Sequence, residues 1–229
     1  MTGIIGAMTT EVEGIRAMLK NPEEQTAGGL TFTRGTLGGE DTVVAVCGIG
    51  KVFAAICAQT MILLYKPDWI LNVGVGGALD PDLRVCDTVV AESVVQHDMD
   101  TSPLGDPKGY LSGIGLVNLP CDAEWSEKLV SAAEKAGLRV SRGIVASGDQ
   151  FLSTASQKAA VRELFSASVC EMEGAAIGQT CRWNGVPFCV MRSISDGAGD
   201  GGELDYLSFC SAAAANTVRV LRELFPEKA

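Results

Sequence analysis

Short apolar runs alternate with helix-patterned segments from residue 3 to residue 225, and no linker-like, repeated or low-complexity stretch interrupts them. "GIIGAM" (3–8) reads as a strand, and 9–21 as a helix with Val12, Ile15 and Leu19 on one side. Thr10 and Glu13 have the spacing of a capping box. "LTFTRGTL" and "DTVVAVCG" flank the turn "GGED" and read as a hairpin. The segment 51–66 is apolar nearly all round, which predicts a well-covered helix. Further helices are predicted over 123–137, 154–165, 173–183 and 206–225, and strands over 68–73, 87–95, 142–147 and 187–195. "SVCEM" leads into the helix at 173, and a Gly-, Asp- and Pro-rich loop follows residue 96. This alternation predicts one α/β domain over 1–229 with a central mixed, largely parallel sheet. Ligands collect beyond the carboxyl ends of such strands, so the residues there are the ones to inspect.

A chain of 229 residues can bury a sizeable single core. Its net charge of −10 opposes duplex nucleic acid and anionic membranes as partners, since both call for a cationic surface. No apolar run reaches the length of a membrane span, and residues 1–30 lack the basic start and apolar segment of a secretion signal. The eight cysteines are scattered, without a C-x-x-C pair, and several such as Cys189 sit in apolar runs, which suits a reducing cytosol. One histidine, His97, cannot by itself build a histidine-rich metal site or a Ser-His-Asp triad. No metal or cofactor is expected.

Four strand ends carry notable residues: Glu11, the glycines at 74–77, Glu173 and Asp196. Glu11 could simply complement a helix dipole. At 100° per residue, however, it falls within about 40° of Ile15 and Met18, at the edge of the apolar face and turned partly toward the sheet. Glu173 shares a helical face with Ile177 and Thr180. Glu171, two residues earlier, is either its partner or an outer-face charge. Asp196 precedes the acidic, glycine-rich "GAGDGGELD", whose spacing misses a calcium loop, so Asp200, Glu203 and Asp205 read as solvated. "GIGK" (48–51) is not a Walker loop, because Ala45 and Val52 replace the required Gly and Ser/Thr. "GVGGAL" is not a dinucleotide fingerprint either, because Leu79 stands at its last glycine position. Glycines after a strand still let a small ligand approach the backbone closely.

"GIIGAM..EV", "GIGKV", "NVGVGGAL", "HDMD", "SGDQF", "EMEGAAI" and "RSISD" occur in the order and spacing of the 5′-methylthioadenosine/S-adenosylhomocysteine nucleosidases of the purine nucleoside phosphorylase superfamily. The chain resembles that family from residue 3 to about 225. The resemblance implies a three-layer α/β/α, nucleoside phosphorylase-like fold, a homodimer, and hydrolysis of the adenine–ribose bond of 5′-thio-substituted adenosines. It implies Glu11 as the base that activates water and Arg192 as the group that holds the water. Asp196 would be the acid that protonates N7, supported by Ser195. Glu173 would bind the ribose hydroxyls, with Met172 against the sugar, Phe151 stacked on the purine and the Leu152 backbone at the adenine edge. Val75 and Gly76 would line the ribose side, Val75 replacing a serine found in many members, so that a side-chain hydrogen bond is missing. Leu104 would complete the 5′-substituent pocket of the partner subunit. Two carboxyl groups dividing acid and base work parallel the inverting glycosidases.

Three other readings keep parts of this pattern. Phosphorolysis would need cationic groups for phosphate where Glu11 stands. Futalosine hydrolysis would keep the reaction and change the substrate. A non-catalytic nucleoside-binding or storage protein would have no use for Glu11, Glu173 and Asp196 together.

Overall fold

The computed structural model describes residues 1–199 and 202–227, except for the side chains at 202–205, 207, 208 and 210. The acids at 200, 203 and 205, read above as solvated, therefore lie outside the described residues and side chains. Among the described residues ten strands form one sheet: β1 (Thr2–Gly6), β2 (Lys20–Ala27), β3 (Leu30–Leu37), β4 (Glu40–Val46), β5 (Trp69–Ala78), β6 (Thr88–Gln96), β7 (Leu119–Pro120), β8 (Val140–Ser147), β9 (Ala167–Glu171) and β10 (Phe188–Asp196). Among the described residues six α-helices cover it: α1 (Thr9–Arg16), α2 (Lys51–Tyr65), α3 (Ala123–Lys135), α4 (Ala155–Phe165), α5 (Gly174–Asn184) and α6 (Gly202–Leu224).

The strand order β10-β6-β8-β9-β5-β1-β4-β3-β2 is closed by a further pairing of β10 with β5, so five strands make a ring, four extend from it in a row, and β7 pairs with β6. Parallel pairs join β4, β1, β5 and β10, and also β6, β8 and β9. One apolar cluster lies under α2 and α5, around Ile5, Met61, Ile177 and Phe188. A second, around Ile15, Leu71, Leu129 and Leu221, packs α1, α3 and α6 on the other side. This is the expected arrangement of helices on both faces of a mixed sheet. No helix among the described residues is long and apolar enough to cross a membrane, and the seven described cysteines are free.

β5 is buried along its whole length. On one side Thr2–Ile5 of β1 pair with Trp69–Asn72, and β9 pairs only with Gly77 and Ala78. Residues 73–76 therefore have no strand neighbour on that side, and a fork opens in the sheet at "VGVG". The strand does not stop at Val73, as its sequence led us to expect, because Arg192 to Asp196 of β10 pair with the glycine run on the other side.

Three further expectations are corrected. α1 ends at Arg16, and "KNPEEQTA" forms β2, an exposed, charged edge strand containing Pro22 that shows no apolar alternation. Glu11, not Glu13, takes the third helical position and accepts from the Met8 backbone N–H at 2.9 Å, so the capping pair lies earlier than Thr10 and Glu13. α2 is not covered all round: Val52, Phe53, Ile56, Leu63 and Leu64 are exposed.

Candidate active site

A cavity of about 300 Å³ opens at the fork, walled by residues of β5, the start of α1, the ends of β9 and β10, the residues before α5 and the segment after β8. Of the expected site residues, Glu11, Val75, Gly76, Phe151, Leu152, Met172, Glu173, Ser195 and Asp196 line it. Arg192 does not, and Leu104 lies away from it, 84% exposed on a short 3-10 turn, Ser102–Leu104.

Glu11 fills the gap left by β1. Its Oε1 accepts from Val75 N–H at 3.0 Å, while Oε2 accepts from Ala7 and Met8 N–H at 2.8 and 2.9 Å. A Cβ on Gly74 would stand 2.6 Å from Oε1, so the bare glycine is what admits the carboxylate. Burial pushes Glu11 above its ordinary value, against the lowering effect of the Val75 N–H and the Arg192 charge. Val75 thus serves through its backbone, and its side chain packs beside Ala213 and Ala214 of α6.

Glu171 resolves as the inner partner. Its carboxylate receives Arg192, Ser147 Oγ and the N–H groups of Glu173 and Gly174, the last two at 3.0 and 2.8 Å. Burial alone would raise it, and the Arg192 charge with these donors holds it below the usual carboxylate range. Arg192 also donates to the Asn72 side chain and, at 3.3 Å, to its carbonyl. The guanidinium, expected beside the attacking water, is therefore committed to Glu171 and Asn72, and it reaches the cavity acids through its charge.

Glu173 precedes α5 and accepts from Gly50 N–H at 2.9 Å, which occupies the backbone of "GIGK"; Lys51 is engaged too, by Asp98 at 2.6 Å. Burial, and then the charge of Glu171, push Glu173 from an ordinary 4.5 up to about 8. The unfolded chain loses this proton near 4.5 while the folded protein keeps it to about 8. The stability it contributes is therefore full below 4.5 and lost as pH rises through about 8. Glu173→Gln should flatten this decline in the unliganded protein, read from thermal midpoints across that range. Identical pH dependence of the two proteins would show that Glu173 does not titrate there.

Asp196 is the last residue of β10, and a Cβ on Gly77 would stand 2.8 Å from its Oδ2. Ser195 Oγ donates to Asp196 Oδ1 at 2.7 Å. Lys158 of α4 donates to Oδ2 at 2.6 Å, a partner that sequence reasoning missed. The signal was present: Lys158, Val161 and Phe165 share one helical face. Phe151 meets Tyr206 edge-on at 5.6 Å across the mouth of the cavity.

Residues 2–226 match the family model described as the phosphorylase superfamily. A 5′-methylthioadenosine/S-adenosylhomocysteine nucleosidase of Marinomonas sp. is 36% identical over 97% of this chain and 96% of its own. The nucleosidase of Neisseria meningitidis, solved in complex with methylthio-immucillin-A, superposes with a TM-score of 0.94 at 32% identity, covering 97% of each chain. Futalosine hydrolase of Helicobacter pylori does so with a TM-score of 0.94 at 32% identity, covering 99% of this chain and 97% of the other. With its fold, its cavity and these relatives in agreement, the chain belongs to the phosphorylase superfamily and, within it, to the 5′-methylthioadenosine/S-adenosylhomocysteine nucleosidase family.

Proposed function

We propose that this chain hydrolyses the N-glycosidic bond of 5′-methylthioadenosine and S-adenosylhomocysteine, giving adenine and the 5-thio-substituted ribose. The observation that carries this reading is a pair of buried carboxyl groups, Glu11 and Asp196, that line one cavity beside opposite ends of its glycine run. Glu11 lies at Gly74 and Val75, and Asp196 at Gly77. Two to three residues at ~3.3 Å each separate these anchor points by roughly 7–10 Å. Anchors this far apart leave room for a water and a reacting carbon between the two acids, as inverting glycoside hydrolysis requires.

In this reading Asp196 gives a proton to N7 as the C1′–N9 bond breaks and its electron pair passes to the base. Water attacks C1′ and loses a proton to Glu11. Glu173 accepts from the ribose hydroxyls, Met172 packs on the sugar, Phe151 stacks on the purine, Leu152 offers its backbone to the adenine edge, and Ser195 orients the acid. Arg192 supports Glu11 and Glu173 by charge. The described cavity wall carries no Lys or Arg, which favours water over phosphate as the nucleophile. One nucleosidase domain over 1–229 working in the cytoplasm, in methionine salvage, fits the free thiols and the family. A homodimer would cover the exposed Val52, Phe53 and Ile56 of α2 and bring Leu104 to the partner subunit's cavity.

Futalosine hydrolysis is the second reading, favoured by the Helicobacter pylori enzyme of the same fold. The test is base release from methylthioadenosine, adenosylhomocysteine and futalosine, each with and without phosphate. Adenine and free methylthioribose, at rates indifferent to phosphate, are expected. A sugar phosphate as product would overturn hydrolysis, and turnover of futalosine alone would replace the first reading by the second.

A further inference from the structure

Lys158 is 1% exposed, and an ammonium that deep survives only with partners. Its Nζ lies 2.6 Å from Asp196 Oδ2 and 2.5 Å from the Gly197 carbonyl. It sits on the second turn of α4, a helix whose start is fixed by a capping box between Thr154 and Gln157. The Cys170 thiol of β9 donates to the Gly77 carbonyl at 3.5 Å within reach of the charges of this pair, and burial pushes it up to about 12, so it keeps its own proton. An acid that must deliver a proton to a leaving base has no evident use for an ammonium locked against it. The two facts agree if the deliverable proton belongs to both groups.

Resting on the nucleosidase reading above, we propose that Lys158 is a positioning residue that stores the proton Asp196 delivers to the leaving adenine. In the step, the Nζ–H bond breaks as a proton passes to Asp196, and Asp196 places a proton on N7. The C1′–N9 electron pair goes to the base, and the pair is left as a neutral amine beside a carboxylate. Glu11 meanwhile holds the proton taken from the attacking water. On product release Glu11 returns that proton to solvent, and solvent water reprotonates Nζ, so charge and atoms balance. Asp196 is thereby spared from holding a proton alone in the resting protein, while the ammonium fixes its carboxyl plane.

The test compares native protein and Lys158→Met on two substrates: methylthioadenosine and the 4-nitrophenyl glycoside of 5-methylthioribose, whose phenolate leaves without a proton. We expect kcat on methylthioadenosine to fall by about 10²-fold, in the range of general acid catalysis, with little change in KM. Hydrolysis of the aryl glycoside should stay near the native rate. Equal losses on both substrates, or no loss on methylthioadenosine, would overturn the proposal. Should Lys158→Met fail to fold because Asp196 is left buried without a counter-charge, Lys158→Met/Asp196→Asn removes both charges and is compared with Asp196→Asn alone. A residue acting through Asp196 leaves these two equally slow. A further large drop in the double variant would mean independent roles and would also overturn it. A native protein inert on methylthioadenosine would overturn the nucleosidase reading itself, and this proposal with it.

Discussion

Asp196→Asn is expected to release adenine about 10²–10⁴-fold more slowly than the native protein, because an amide keeps the size and the Ser195 contact but has no proton to give. The amide oxygen can still accept from Lys158, so the fold should survive with some loss of stability from an ammonium whose counter-charge is gone. Single-turnover adenine release separates the chemical step from product release, and a direct binding measurement shows whether substrate still enters. Turnover close to native would remove Asp196 from leaving-group protonation.

Glu11→Gln should cost a similar order, about 10²–10⁴-fold, through loss of the base that takes the proton of water. Its structural effect differs from that at Asp196. Both oxygens of Glu11 accept from backbone N–H groups, so one end of the glutamine must point an amide donor at another donor. Leaving such a buried donor unmatched costs about 1–3 kcal/mol, which should appear as a lowered thermal midpoint. Added phosphate should restore no turnover. Recovery with phosphate, and a sugar phosphate as product, would mean that the scaffold is not committed to water.

Residue spacing made much of this site readable. Glu11 is legible because an acid sits at the edge of an apolar helical face, and the structure places its carboxylate both at the helix start and in the cavity wall. Glu171 stayed ambiguous because alternation along a strand says only which of two faces a side chain takes. In this sheet both faces are covered, so an acid on either must find a partner, and its partner Arg192 lies 21 residues away in sequence. β2 escaped because a polar edge strand has no apolar period to detect. The fork at residues 73–76 escaped for another reason: the pairing of β5 first with β1 and then with β9 is a tertiary choice. Helix α2 was misjudged because an all-round apolar surface does not say whether its cover comes from the same chain.

The closed ring carries a consequence for how the molecule is made. β10 lies between β5 and β6, both of which leave the ribosome more than ninety residues earlier. Until β10 arrives, the buried β5 and the Val-rich β6 each carry an unsatisfied edge, the kind that invites pairing with another chain. Insertion of β10 closes both edges at once and, in the same motion, brings Arg192 to Glu171 and Asp196 to the glycine run. Sealing the ring and completing the cavity wall are thus one late event in the life of the nascent chain, and a partly built protein has neither a safe surface nor the cavity.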